Sequence, residues 1–347
     1  MSKLILYNDE ICVPWTEKYR PKTTEHIVQQ SNLKKLIDDA QITGKLPHLL
    51  FHGPPGCGKT TTAFSICRQY FYSSTRSKTE NKTIFTERVL ELNASDERGI
   101  HVVKGKIKTF AEKTIGRRPG IPNIKLIILD ECDAMTSDSQ SALRRTMEDY
   151  MIDTRFILIC NNIAQINAPI ISRTLSIKYA YIDVNHMDTV INKIALHENL
   201  TISNDFLQRL HTVTNGDMRK AINLLEQVNL MFGIYTVDNL NICAGMLDTS
   251  FFQNITNTLS NSLLCAVDIL DLVKLFINEA YSLPSLVFDL THYVSTHGFD
   301  TECHMKLMDI LVKVDSMIHY KASEPIILMY LFTSFHDIIT NTTSDAE

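Results

Sequence analysis

The chain has 347 residues, 44% hydrophobic and 21% charged, which indicates a globular protein of two or three domains and excludes wholesale disorder. Its formal net charge of −5 is unevenly divided: residues 1–180 carry 26 Lys and Arg against 19 Asp and Glu, whereas residues 181–347 carry 8 against 20. No run reaches the ~18 consecutive apolar residues of a membrane span. The opening MSKLILYNDEICVPW lacks a signal peptide's apolar core, and the eight cysteines include no C-x-x-C pair, so an intracellular protein without disulfides or zinc is expected.

The first 180 residues alternate β-rich runs with helical stretches, the pattern of a parallel sheet flanked by helices. Strands are predicted at 48–53, 88–93, 125–131 and 155–161; three have the apolar runs of strands buried on both faces. Helices are predicted at 60–71, 101–115 and 137–150. Residues 72–87, YSSTRSKTENKTIFTE, are polar and aperiodic and read as an exposed loop. Beyond 181 the strand signals stop. Short helices are predicted at 186–199, 204–213, 216–232 and 237–246, and longer ones at 250–260, 263–279, 283–297, 301–320 and 324–340. The expected domains are 1–180 (α/β), 181–247 (small, helical) and 248–347 (all-α).

Residues 53–60, GPPGCGKT, match G-x-x-x-x-G-K-[ST] after an apolar strand and before a helix. The glycines Gly53, Gly56 and Gly58 let backbone N–H groups turn inward around phosphate oxygens, with Pro54, Pro55 and Cys57 completing the loop. Lys59 is expected to reach the β- and γ-phosphates, and Thr60 to hold Mg²⁺. Asp130 and Glu131 end the strand of LIILDECD, 71 and 72 residues after Lys59. One acid there can hold Mg²⁺ and the next can orient the attacking water. The pairing points to nucleotide hydrolysis, and the lack of an NKxD guanine-reading motif favours ATP.

WTEKYRPK (15–22), GPPGCGKT (53–60), ELNASDERGI (91–100), LIILDECDAM (126–135), ALRRTME (142–148), LICN (158–161) and GDMRKAI (216–222) follow one another in this chain. Their order resembles that in replication factor C small subunits, AAA+ ATPases that load ring-shaped sliding clamps onto DNA. The resemblance runs from 15 to 226; after 247 it is one of helical pattern alone. It implies a P-loop AAA+ domain with a parallel sheet and flanking helices, a helical lid domain and a C-terminal all-α collar domain. The implied cofactors are ATP and Mg²⁺. The implied partners are large and small clamp-loader subunits, a sliding clamp and primer–template DNA held by its backbone, with no membrane. The implied location is wherever DNA is copied: the nucleus in a eukaryote, a viral factory or the cytoplasm for a virus.

The same resemblance implies roles. Asn161 fits sensor 1, Arg219 of GDMR fits sensor 2, and Arg20 of EKYRP belongs to the segment lying against adenine. Ser172-Arg173 fits the family's S-R-C motif, whose arginine acts in trans as a finger in the neighbouring subunit's ATP site. Two positions depart from the pattern: Thr174 replaces the motif's cysteine, and Gln165 stands where a basic, DNA-contacting residue is common.

Residues 98–125 hold eight basic groups against one acid, Glu112, a net of +7. Lys104 and Lys108, four apart, share a helix face. The resembled family tracks duplex backbone with the arginine of D-x-R-G and the basic residue six later, here Arg98 and Lys104; Lys108 is expected to join them. Taken by itself, such a face is usually only solvated. Other readings of the residues stay open: a subunit that binds ATP without hydrolysing it, or another P-loop enzyme such as a helicase or Holliday-junction motor. The Asp130–Glu131 pair argues against the first, and WTEKYRPK with ELNASDERGI against the second. The 12 histidines show no metal-ligand or triad spacing. Cys57 is either a small loop residue or a reactive thiol.

Overall fold

A computed structural model describes residues 13–21, 31–43, 46–73, 75–94, 100–116, 118, 120–246, 249–259, 261, 265–278, 281–296 and 299–344. The chain forms two compact units, 1–201 with 210–226, and 202–209 with 227–347.

In the first unit, α1 (Trp15–Lys18) and α2 (Ser31–Thr43) precede β1 (Leu49–His52). Then come α3 (Lys59–Phe71), α4 (Lys78–Arg88), β2 (Val89–Asn93), α5 (Ile100–Glu112), β3 (Lys125–Asp130), α6 (Ser137–Asp149), β4 (Thr154–Cys160), α7 (Ala168–Ile171) and β5 (Leu175–Lys178). The strands form one sheet in the order β2-β3-β4-β1-β5, and every neighbouring pair is parallel. Alternate residues point to opposite faces. Phe51, Leu126, Ile128, Ile157 and Ile159 therefore pack in one core with α3, while Leu50, Ile127, Leu129, Phe156 and Leu158 pack in another with α5 and α6.

Four further helices follow: α8 (Val184–Glu198), α9 (Asn204–Thr214), α10 (Met218–Met231) and α11 (Val237–Ala244). The second unit has its main core among α12 (Thr249–Leu259), α13 (Ala266–Asn278), α14 (Leu283–Thr296), α15 (Thr301–His319) and α16 (Glu324–Ser344). Among the described residues, no helix is long and apolar enough to cross a membrane.

Three features differ from what the sequence led one to expect. The stretch 72–87 is not a loop: most of it is α4. Ser77 caps this helix by accepting from Glu80 N–H, and Ile84 is fully buried. The inward position that breaks the apolar pattern is Asn81, whose amide exchanges hydrogen bonds with the Ser73 backbone at 2.9 and 3.1 Å. The edge strand β5 gave no sequence signal because Leu175, Ser176 and Lys178 are exposed, so no apolar run marks it.

The third concerns Lys125, counted in the basic segment. It is completely buried. Its ammonium donates to the carbonyls of Ala111 and, at 2.8 and 3.4 Å, of Lys113 and Phe110, and lies 3.5 Å from Asp153. Lys125 therefore satisfies the end of α5, where carbonyls lack helical partners, and is withdrawn from solvent.

Candidate nucleotide-binding site

Because β4 lies between β3 and β1, residues far apart in sequence meet at the carboxyl ends of three adjacent strands. That edge, where the strand order reverses, is where open parallel sheets bind ligands. The loop after β1 runs directly into α3, whose N-cap Gly58 has φ +88° and no side-chain cap. The first-turn N–H groups of α3 are thus available to an anion. Two glycines are sterically required. A Cβ on Gly53 would lie 2.3 Å from the Tyr179 carbonyl oxygen, and one on Gly56 (φ +68°) 1.7 Å from Asp217 Oδ1.

Lys59 Nζ donates to the carbonyls of Gly53 and Pro54, both at 2.7 Å, and to Asn161 Oδ1 at 2.8 Å. Thr60 Oγ1 donates to Asp130 Oδ2 at 2.8 Å. Glu131 is exposed in the left-handed region at φ 54°, a conformation that costs about 1–3 kcal/mol and clusters at functional sites. Its N–H is held by Asp130 Oδ1 at 2.9 Å. Asp133 Oδ2 accepts from the N–H groups of Asn161 and Asn162 at 3.0 and 3.2 Å, fixing the turn after β4 to the turn after β3.

These groups open onto a cleft of 430 Å³. Gly56, Cys57, Gly58, Lys59, Thr60, Asp130, Glu131 and Asn161 line its phosphate side; Tyr19, Arg20, Ile182, His186, Met218 and Arg219 line the other. Pro55 lines it as well, while Gly53 and Pro54 act through the carbonyls that hold Lys59. The Arg20 guanidinium sits 5.3 Å from the centre of the Phe64 ring and donates to both Glu17 oxygens at 3.2 Å. Sequence reasoning missed the wall formed by His186, Val190, Met218 and Ile222. The available signal was spacing: each pair is four apart and shares a helix face.

Burial pushes the Cys57 thiol above its ordinary pKa, opposed by the charge of Lys59, and its Sγ donates to Pro54 O at 2.8 Å. Packing and burial of Cys57 favour its reading as a small loop residue over a reactive thiol. His52, beside the loop, is held below its usual pKa by burial and then by Lys178 and Lys59.

Arg173 does not line this cleft. It is exposed, with Nε 2.8 Å from Glu148 Oε1 and Nη1 donating to Pro169 O at 3.0 Å. Thr174 hydroxyl bonds back to Ile170 and Ile171 carbonyls at 3.1 and 3.2 Å, so its departure from cysteine leaves the end of α7 formed. Gln165 is exposed, and its carbonyl accepts from Gln140 at 2.9 Å.

Residues 49–180 match the family described as ATPase family associated with various cellular activities (AAA), and 189–230 match the RCF1/5-like AAA+ ATPase lid domain. Replication factor C subunit 4 of Arabidopsis thaliana is 42% identical, covering 66% of this chain and 67% of that protein. Replication factor C subunit 2 of Saccharomyces cerevisiae is 31% identical over 97% of both chains. The chain belongs to the replication factor C small-subunit family. The family's role is clamp loading in DNA replication, and this replication factor C subunit is an AAA+ ATPase that binds nucleotide. A Thermotoga maritima RuvB structure, a Holliday junction branch migration motor, has a TM-score of 0.50 at 17% identity, covering 76% of this chain and 86% of that one. That likeness extends to the AAA+ fold alone.

The residues expected as Walker A, Walker B, sensor 1 and sensor 2 line one cleft. The positions expected to meet DNA are less fully described. Arg98 and the side chain of Lys104 lie outside the described residues. Lys108 is exposed on α5 and sits 3.7 Å from Glu112.

Proposed function

We propose that this subunit binds Mg²⁺–ATP in the cleft between its phosphate loop and lid helices, and hydrolyses it when a neighbouring subunit supplies an arginine finger. The observation that carries the reading is the separation of two sets of groups. Lys59, Thr60, Asp130, Glu131, Asn161 and Arg219 share one cleft, while Arg173 is exposed outside it. Thr60 and Asp130, 2.8 Å apart beside an uncapped helix N-terminus, fit a Mg²⁺ held by one hydroxyl, one carboxylate and substrate phosphates. Among the described residues no cluster of three or more His, Cys, Asp or Glu could hold a metal unaided, which suits that mode. Bound Mg²⁺ supplies charge neutralisation of the phosphates and of the leaving group.

Around the substrate, the amides of 56–60 and Lys59 bind the phosphates, Glu131 takes a proton from the attacking water, and Asn161 orients that water. Arg219 reports the state of the γ-phosphate to the lid, and Arg20 with its neighbours lies along the base. Arg173 performs the finger's role for the next subunit, worth roughly 10³–10⁵ in rate among related NTPases. Large and small clamp-loader subunits, the sliding clamp and primer–template DNA are the proposed partners. Arg98, Lys104 and Lys108 would follow the duplex backbone without reading sequence. The proposed functional domains are 1–180, 181–247 and 248–347, the last a collar for assembly. The two relatives named above are eukaryotic, which favours the nucleus over a viral factory or the cytoplasm.

Glu131→Gln in the reconstituted assembly tests the hydrolytic role. Loss of DNA-stimulated turnover at this site with ATP binding retained supports it; unchanged turnover shows a subunit that serves as a nucleotide-binding scaffold.

A further inference from the structure

The side of the cleft away from the phosphate loop is made by two pieces of chain distant in sequence. Thr16, Glu17, Tyr19, Arg20 and Pro21 come from the short segment around α1, and the rest from the start of α8 and from α10. A helix of four residues cannot hold its own shape in water, so something else must fix this segment.

Two carboxylates do so. Glu198, the last residue of α8, receives the Tyr19 hydroxyl and, at 2.6 Å, the Lys18 ammonium, both on Oε1. Glu226 on α10 accepts from Trp15 N–H at 3.1 Å, the first-turn donor that α1 itself leaves open. The rings complete the contact: Tyr19 packs edge-on against buried Trp15 at 6.4 Å and lies 6.0 Å from His197. Glu198 does not line the cleft.

We infer that Glu198 is a positioning residue for the base of the nucleotide: by clasping Lys18 and Tyr19 it ties the base-side segment to the lid, so that both close on the nucleotide together. The geometry is shared: one carboxylate oxygen receives both donors, and these hydrogen bonds, Lys18 first, hold the Glu198 carboxyl below its ordinary pKa. Arg219 and Tyr19, on opposite pieces of the wall, then respond to one ligand as a unit. The inference rests on reading the cleft as the ATP site.

The test compares ATP with inorganic tripolyphosphate, which offers phosphates and no base, on the full-length wild-type chain and on Glu198→Gln and Lys18→Glu/Glu198→Lys variants. Glu198→Gln is expected to lose about 5- to 20-fold in ATP affinity, with tripolyphosphate affinity unchanged; the charge-swapped pair should recover much of the loss. In ATPase assays of the assembly the same variant should raise KM and leave kcat unchanged. Equal loss for both ligands, or no loss for ATP, overturns the inference. Failure of wild type to bind either ligand instead overturns the assignment of the cleft.

Discussion

Asn161 Oδ1 accepts from Lys59 Nζ at 2.8 Å, so the residue at the end of β4 and the phosphate-loop lysine are hydrogen-bonded across 102 positions of sequence. The sheet order makes this contact, since β4 is the neighbour of β1. In the proposed mechanism Lys59 exchanges part of this bonding for phosphate oxygens when ATP enters, and Asn161 turns toward the attacking water. Asn161→Ala should therefore lower hydrolysis about 10²-fold, comparable to losing one preorganised polar group, and change nucleotide affinity little. Steady-state ATPase beside equilibrium nucleotide binding separates the two effects.

Lys125 and Lys108 have opposite fates despite equal formal charge. Lys125→Met leaves three carbonyls at the end of α5 and Asp153 without their partner and should cost about 2–4 kcal/mol. Lys108→Met should stay within about 0.5 kcal/mol. Urea unfolding measures both. In DNA binding by the assembly the proposed backbone contact reverses the ranking: Lys108→Met should reduce the salt slope by about 0.9, while Lys125→Met should leave the slope alone.

Gly56 and Asp217 touch so closely that a methyl group on the loop has no room. Gly56→Ala should destabilise by about 2–3 kcal/mol, from left-handed backbone plus overpacking. Asp217→Ala carries its own cost, since Asp217 accepts from Lys220 N–H at 3.0 Å in the first turn of α10. The double variant should nonetheless be at least about 1 kcal/mol more stable than the sum of the two single effects implies, because removing the carboxylate relieves the clash. Strict additivity in a double-mutant cycle would contradict the contact.

His48 supplies a pH dependence. Burial, and then the nearby charge of Arg155, lower its pKa to about 4, and its neutral ring accepts from Phe156 N–H at 3.1 Å. The unfolded chain binds this proton near pH 6.5 and the folded chain only near 4, so stability falls as pH drops through that window. With the ring's partial exposure discounted, the loss is about 1–2 kcal/mol. His48→Gln should flatten the slope between those limits in urea unfolding at successive pH values.

The phosphate loop and the acidic pair were readable because backbone chemistry dictates both: inward N–H groups need glycine, and a Mg²⁺ site at a buried strand end needs carboxylate. Four strands were readable, three of them from apolar runs. What failed to register was structure held together by polar groups. α4 turns inward on Asn81, β5 lies exposed at the sheet edge, and Lys125 is spent on the carbonyls of α5. Composition counts a lysine as surface charge, and only the fold reveals which lysine is buried. The base-side wall escaped for another reason. It is assembled from His186, Val190, Met218 and Ile222, in a spacing that ordinary helix packing also produces.

In the proposed assembly this subunit's cleft is completed from outside, and its own Arg173 completes a neighbour's. The most direct measurement is ATPase activity of the reconstituted assembly, with and without clamp and primed DNA, for wild type and for Arg173→Ala in this chain alone. Slow turnover by the isolated chain and stimulation of the assembly by both ligands are expected. Arg173→Ala should remove turnover at the adjacent subunit's site while this chain's own site still binds and hydrolyses ATP. Rapid, DNA-indifferent turnover by the isolated chain, or loss of turnover confined to this chain's own site in Arg173→Ala, would overturn this arrangement.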